Sequence, residues 1–269
     1  MSPRIVLSKS NRRLMRLGLF SLFLVFLASC APRVAFVPPP MPADIEISLL
    51  DRLRASGDYF QSLKGLAKVH VSTRDRSIRV SQVVLAEKPH SLRTEVMGPF
   101  GQTYMVLASN RDHLSVYLPH SAEFYEGKPS SENLGKFLRL PFEVEDLVKI
   151  ILYQVPLVDF QRTEVSSTPE GNYRLTLYAE DKYSQEAVFS PDLRLLSSAY
   201  FRQAEKLLSV SYADFDANSP AFPYQIGVEI PAGQTQAEVA FSEVEVNVPI
   251  AHERFKMTAP AGVTIKPLP

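Results

Sequence analysis

The hydrophobic positions of the chain follow two different periods. Over residues 44–61, Ile45, Leu49 and Leu53 recur at about 3.6 residues, and Asp44 stands where a helix N-cap belongs. This segment is therefore predicted to be an amphipathic helix. Directly after it the spacing of apolar residues changes to two, which is the period of a half-buried strand. The sequence thus predicts one helix followed by β-structure.

The first strands form a predicted meander. In LKGLAKVHV, residues 63–71, apolar and small side chains alternate with Lys64, Lys68 and His70, so one face is apolar and the other polar. Further strands are predicted at residues 76–88, 91–97, 102–109, 113–119 and 122–127. Short turn sequences such as GPFG separate them, and short connections require antiparallel pairing.

The pattern then becomes helical before it returns to strands. Residues 130–140 and 142–155 carry apolar faces at helical spacing, and Pro141 separates them. Strands are predicted to resume at residues 173–180, 185–190, 193–201, 206–215, 223–230, 237–248 and 254–259. About eleven to thirteen antiparallel strands with three helices indicate an α+β fold, in which the helices cover the concave face of one curved sheet.

The first thirty residues have the order of charged and apolar residues that is typical of a secretory signal. Residues 1–16 contain five basic side chains and no acid, residues 17–27 are uncharged, and two small residues precede Cys30, the single cysteine. The apolar run is shorter than the ~20 residues that span a bilayer as a helix. Leu27-Ala28-Ser29-Cys30 also resembles the lipobox of bacterial lipoproteins, which implies cleavage before Cys30 and its lipidation. An ordinary signal with an incidental cysteine is the alternative.

These features divide the chain into three predicted parts. Residues 1–29 are the signal peptide, residues 30–42 are the lipidated cysteine and a proline-rich tether, and residues 43–269 are one domain. The tether favours extended polyproline II. Ala31 follows the cysteine where an Asp would retain a lipoprotein at the inner membrane of enteric bacteria. This favours a lipid anchor in the outer membrane, on its periplasmic face.

Charge and motifs restrict the function. The chain has 29 basic and 29 acidic residues, and the predicted signal removes five basic ones, which leaves a net charge near −5. That balance gives no support to nucleic-acid binding. The five histidines are scattered without metal-ligand spacing. A nucleophile elbow, an HExxH motif and a phosphate-binding glycine loop do not occur, so the sequence favours a protein that is not an enzyme and uses no metal or cofactor.

Two stretches resemble the LolA/LolB family of lipoprotein carriers and outer-membrane lipoprotein receptors. LRTEVMGPFGQTYMVLAS, residues 92–109, is similar to the strand–turn–strand pattern of the family, and YEGKPSSENLGKFLRLPFEVEDLVKIILYQVP, residues 125–156, is similar to its helical insert. The chain departs from the family in a longer C-terminal part. The resemblance implies an unclosed antiparallel β-barrel of about eleven strands, with a helical lid over an apolar cavity that holds acyl chains of another lipoprotein.

The same stretches contain the candidate site residues. Gly98, Pro99, Phe100 and Gly101 are predicted to form a membrane-inserting loop, because Phe100 takes the place of the family's apolar tip residue. The alternative is that Phe100 folds back onto the sheet edge. The predicted acyl-chain cavity is lined by Val69, Val84, Leu92, Val96, Met105, Leu107, Leu114, Val116, Phe137, Leu138, Leu147 and Ile151. A hydrophobic core uses the same side chains as a ligand pocket, so core packing is the alternative for each of them.

The sequence therefore favours an outer-membrane lipoprotein that takes acylated lipoprotein cargo from a periplasmic LolA-like carrier and inserts it into the membrane, acting as a monomer. Two other functions stay open. One is a structural or assembly lipoprotein whose cavity is a filled core. The other is a carrier of a small lipid.

Overall fold

The chain folds into three α-helices and one large sheet over the residues that the computed structural model describes, which are 41–98, 100–140 and 142–269. Cys30, Pro99 and Pro141 lie outside these residues. The helices are α1 (Ile45–Tyr59), α2 (Ser131–Leu138) and α3 (Val144–Ile151). The strands are β1 (Ser62–Ser72), β2 (Ser77–Glu87), β3 (Ser91–Met97), β4 (Thr103–Ser109), β5 (Leu114–Leu118), β6 (Glu123–Gly127), β7 (Arg162–Ser167), β8 (Tyr173–Tyr178), β9 (Tyr183–Phe189), β10 (Leu195–Arg202), β11 (Glu205–Phe215), β12 (Pro223–Ile230), β13 (Thr235–Val246) and β14 (Thr264–Pro267).

The strands form a single open sheet in the order β14-β6-β5-β4-β3-β2-β1-β13-β12-β11-β10-β9-β8-β7. All neighbouring strands are antiparallel except β14, which runs parallel to β6. β14 and β7 are the two edges, so the sheet does not close into a full barrel. The prediction of an α+β fold with one unclosed antiparallel sheet and three helices is confirmed.

The pairing of β1 with β13 joins the two meanders of the sheet. β1 pairs with β2 along one side and with β13 along the other, and a bulge lies between Leu66 and Ala67. Gly65 lets the two strands approach closely, since a Cβ atom there would lie 2.8 Å from the carbonyl oxygen of Glu243 and 3.1 Å from the ring of Phe241. Strands far apart in sequence thereby share one concave apolar face.

Helix α1 and the residue after it pack into an aromatic core at the end of the sheet. Ile45, Leu49 and Leu53 are buried, as their spacing predicted. Phe60 follows the helix, and its ring meets Phe222 edge-on at 5.1 Å between centroids. Tyr153 lies 6.3 Å from Phe60. Edge-on contacts of this kind add to the free energy gained by burial.

The C-terminal segment lies against the convex face of the sheet. A 3-10 helix, His252–Phe255, buries Phe255, and the carbonyl oxygen of Arg254 accepts a hydrogen bond from Arg93 Nη1 at 3.2 Å. The prediction of a strand over residues 254–259 is therefore wrong. The apolar Phe255 belongs to an anchoring turn and not to an alternating strand.

The expected number of about eleven strands is also too low, because two edge strands have weak sequence signals. β7 reads RTEVSS and β14 reads TIKP, and neither alternates cleanly between apolar and polar residues. The lid helices are shorter than predicted. They end where Arg139 adopts a left-handed conformation (φ 62°) and where Leu152 leaves the helix.

Phe60→Ala tests the aromatic core. The ring is only 2% exposed, so its removal should leave a cavity and lower the free energy of unfolding by about 3–5 kcal/mol. Denaturant titration measures the loss. Ile47→Ala is the matched control, because Ile47 is 65% exposed on α1, and it should change stability by no more than about 0.5 kcal/mol. Equal effects of the two substitutions would contradict the proposed packing.

Lys88 provides a test of pH dependence. Burial lowers the pKa of its ammonium group from 10.5 to about 8, while the group donates a hydrogen bond to the carbonyl oxygen of Gly57 at 2.6 Å. Between pH 8 and 10.5 the unfolded chain therefore binds more protons than the native one, so the contribution of Lys88 to stability rises with pH in that window. The free energy of unfolding should rise more, or fall less, from pH 8 to 10.5 in the wild type than in Lys88→Met. If the free energy of unfolding changes equally with pH in both proteins, the pKa of Lys88 is not lowered in the native state.

Candidate functional site

An apolar cavity of about 240 Å³ lies between the concave face of the sheet and the helices α2 and α3. Strand register builds its floor. Val80, Val69, Val239 and Ile226 pair in one row across β2, β1, β13 and β12, and all four side chains line the cavity. Successive side chains of a strand point to opposite faces, so alternate apolar residues of each strand line the same space.

Helices α2 and α3 form the lid of this cavity. The side chain of Ser130 caps α2 by accepting a hydrogen bond from the backbone N–H of Asn133 at 3.3 Å. The end of α2 and its C-cap place Phe137, Leu138, Arg139 and Leu140 over the cavity, and α3 adds Leu147, Ile150 and Ile151. Both helices are amphipathic, which lets them bury one face on the sheet and present the other to solvent.

Side chains of Asn133 on α2 and Glu145 on α3 connect the lid to neighbouring segments of the chain. Asn133 is fully buried, and its amide donates to the carbonyl oxygens of Lys128 at 3.1 Å and Pro269 at 2.7 Å. On α3, a hydrogen bond from Lys149 at 2.7 Å lowers the pKa of Glu145, and His90 in the β2–β3 turn lies 3.6 Å from the same carboxylate. Burial raises the pKa of Asp146 on the same helix. The lid is thus held at the start of α2 and on the outer side of α3.

Nine of the twelve predicted cavity residues line the cavity. They are Val69, Val84, Leu92, Val96, Met105, Phe137, Leu138, Leu147 and Ile151. Leu107, Leu114 and Val116 do not line it and are fully buried in packed core. Tyr125 lies opposite Val116, and its ring meets that of Phe137 edge-on at 5.3 Å between centroids, so α2 packs directly on this side of the sheet.

The sequence did not identify the wall that β12 and β13 contribute. This wall consists of Ile226, Val228, Ala237, Val239 and Phe241. Alternation in residues 223–230 and 237–248 did predict two half-buried strands, but a local pattern does not tell which distant strand lies beside β1. Val71, Ile78, Gln82, Leu140 and Ile150 were also missed.

Three lining residues are polar, in contrast to the rest of the wall. Gln82 and Thr94 lie on the floor, and Arg139 lies exposed at the edge of the lid. The hydroxyl of Thr94 donates a hydrogen bond to Gln82 Oε1 at 2.9 Å. Within the described part of the chain, no group of three or more His, Cys, Asp or Glu side chains is placed to hold a metal ion.

The β3–β4 turn carries the most exposed large apolar side chain in the described residues. Phe100 is 93% exposed, so it does not fold back onto the sheet edge. The turn is closed by the N–H of Gly98 donating to the carbonyl oxygen of Gln102 at 2.8 Å, and Gly101 has a φ of 79°, which favours glycine. Pro99, which was also predicted in this loop, lies outside the described residues.

The exposed turn lies at the end of the sheet where the cavity meets solvent. Val96 and Met105 pair next to the turn and line the cavity. Ile78 lines it too and is 45% exposed, and Tyr104 beside the turn is 49% exposed. Exposed large apolar side chains are thus found both in the cavity lining, at Ile78, and in the neighbouring β3–β4 hairpin, at Phe100 and Tyr104. Among the described residues, no helix is long and apolar enough to cross a bilayer.

Comparison with known proteins identifies the fold but not a sequence family. No protein-family model and no curated protein matches the sequence. An outer membrane lipoprotein-sorting protein domain from Vibrio parahaemolyticus is similar in structure, with a TM-score of 0.51 and 13% identity over 80% of this chain and 97% of that one.

Two further solved structures have the same architecture. A DUF1329 family protein from Desulfovibrio piger aligns with a TM-score of 0.52 and 16% identity over 81% of this chain and 98% of that one. A LolA superfamily protein from Nitrosomonas europaea aligns with a TM-score of 0.51 and 12% identity over 79% and 97%. At such low identity the likeness shows the fold alone.

Proposed function

We propose that this protein is an outer-membrane lipoprotein that binds the acyl chains of other lipoproteins in the cavity beneath α2 and α3 and helps insert them into the membrane. The observation that carries the proposal is the apolar cavity, whose wall residues Val96 and Met105 lie next to the turn with the exposed Phe100. The structural neighbour from Vibrio parahaemolyticus is described as a lipoprotein-sorting domain, which supports the same class of cargo.

The size of the cavity requires the lid to move when cargo enters. Ligand pockets usually have volumes of ~300–1,000 Å³, and about 240 Å³ is below that range. Burial of apolar surface contributes roughly 25 cal/mol per Å², so contacts with an acyl chain would offset the apolar contacts that the lid loses when it moves. A small lipid would require a smaller movement of the lid. The presence of a cavity supports binding of an acyl chain or a small lipid over a structural role with a filled core.

The anchor places the cavity beside its target membrane. Lipidation of Cys30 and the proline-rich tether are inferred from the sequence, since Cys30 and all of the tether before Met41 lie outside the described residues. Transfer from a soluble LolA-like carrier involves no covalent chemistry. Its direction requires only that the receiving cavity bind the chains more tightly, and about 1.4 kcal/mol gives a tenfold bias. The proposal needs no enzyme activity, cofactor or nucleic acid.

Val80→Phe tests acyl-chain binding. Val80 lies near the open end of the cavity, so a larger ring there should occupy the entrance and weaken binding of a fluorescent acyl probe at least tenfold. Probe titration of the purified full chain measures the affinity, and the melting temperature verifies folding. Val83→Phe is the matched control, because Val83 is on the same strand and does not line the cavity. If wild type binds no probe, the structural role with a filled core is favoured instead.

Phe100→Glu tests insertion separately from binding. Full-length protein in liposomes receives a lipidated test protein from a loaded carrier, and cargo in the bilayer is quantified over time. A carboxylate at the tip loses the apolar contact with the leaflet, so the variant should accept cargo normally but insert it about tenfold more slowly. Ile47→Glu alters another exposed apolar residue, on α1, and should insert normally. Unchanged insertion by Phe100→Glu would exclude a role for the loop and favour a small-lipid carrier.

A further inference from the structure

The floor of the apolar cavity contains one polar pair whose hydrogen bonding is incomplete. Thr94 is 3% exposed, and its hydroxyl donates to Gln82 Oε1 at 2.9 Å. The side chains around the pair, Val69, Val80, Val84 and Val96 among them, are apolar. Gln82 and Thr94 are therefore the positions at which the floor of the cavity can bind a polar group of a ligand.

The amide of Gln82 has hydrogen atoms to donate. A glutamine amide has an acceptor oxygen and two N–H donors. Thr94 occupies the oxygen, and the hydrogen bonds made within the described residues include none from Gln82 Nε2. Gln82 is partly exposed, so its Nε2 group is accessible and is available to donate a hydrogen bond to a ligand with an acceptor atom. The cavity therefore favours an apolar chain that carries a carbonyl oxygen.

The position of the amide along the cavity fits the same kind of ligand. Ile78 and Val80 precede Gln82 on the inner face of β2 from the open end, and Val84 follows it. With about 3.3 Å per residue of strand, Gln82 lies ~13 Å from the exposed Ile78. An acyl chain that enters with its methyl end first passes Gln82 and brings its carbonyl group toward the amide.

We propose that Gln82, held by Thr94, makes the cavity selective for acyl chains that end in an ester or amide carbonyl. The Nε2 group donates a hydrogen bond to the carbonyl oxygen, and Thr94 fixes the amide so that its nitrogen faces the ligand. This inference rests on the proposed acyl-chain binding and specifies its substrate class. Both a diacylated lipoprotein and a phospholipid carry this chemistry.

The test compares a long-chain methyl ester with an alkane of equal size as competitors of a fluorescent acyl probe, using the purified full chain. The measured quantity is the ratio of the ester affinity to the alkane affinity. Gln82→Met keeps the shape but removes the donor, so the ratio should fall about three- to tenfold, the usual net effect of one hydrogen bond. Thr94→Val should reduce it by a smaller factor, because the amide is no longer oriented.

Gln236→Met is the matched control, since Gln236 is an exposed glutamine on β13 that does not line the cavity, and its ratio should equal that of wild type. An unchanged ratio in both Gln82→Met and Thr94→Val, with the probe still bound, would overturn the selectivity and leave the proposed function intact. Failure of wild type to bind the probe would instead refute the proposed function. If Gln82→Met does not fold, Thr94→Val decides.

A second set of competitors separates the two sources of the carbonyl. A synthetic diacylated lipopeptide and a phosphatidylglycerol of equal chain length are titrated against wild type and Gln82→Met. The inference requires that at least one of them lose three- to tenfold in affinity in the variant. If the lipopeptide alone responds, the cargo is a lipoprotein; if the phospholipid alone responds, it is a membrane lipid. Loss of affinity by neither would overturn the inference.

Discussion

The pairing of β1 with β13 is the constraint on which the rest of the structure depends. It joins two meanders that would otherwise be separate sheets, and only the joined sheet has a concave face wide enough to bound a cavity. Its close approach relies on the absence of a side chain at Gly65. One long-range contact between backbones therefore determines whether the apolar faces of β2 and β12 enclose one space.

Helix α2 of the lid is held in different ways at its two ends. At the start of α2, Asn133 is buried and bonded to backbone carbonyls of two segments. At the other end, Arg139 leaves the helix in a left-handed conformation and is exposed over the cavity. The polar anchor of α2 therefore lies at the start of the helix, while apolar contacts of Phe137 and Leu138 hold its end over the cavity.

Much of this arrangement could be predicted from the sequence because it is local. The helix α1, the first meander, the lid helices and the projecting turn at Phe100 follow from apolar spacing and turn residues. The remainder depends on pairing between distant segments. The strand β14 is recognisable only beside β6, Phe255 is buried only because the convex face of β3 and β4 lies beneath it, and Gln82 stands out only once its neighbours are known to be apolar.

The hairpin of β3 and β4 couples the outer surface of the protein to its interior. The two strands pair from Leu92 and Ser109 toward the turn that carries Phe100, with a register shift between Val96 and Met97. Val96 and Met105 are both wall residues and the last inner pair before that turn. Because a ladder of hydrogen bonds joins the two strands, a displacement of the turn would be passed directly to Val96 and Met105 in the cavity wall.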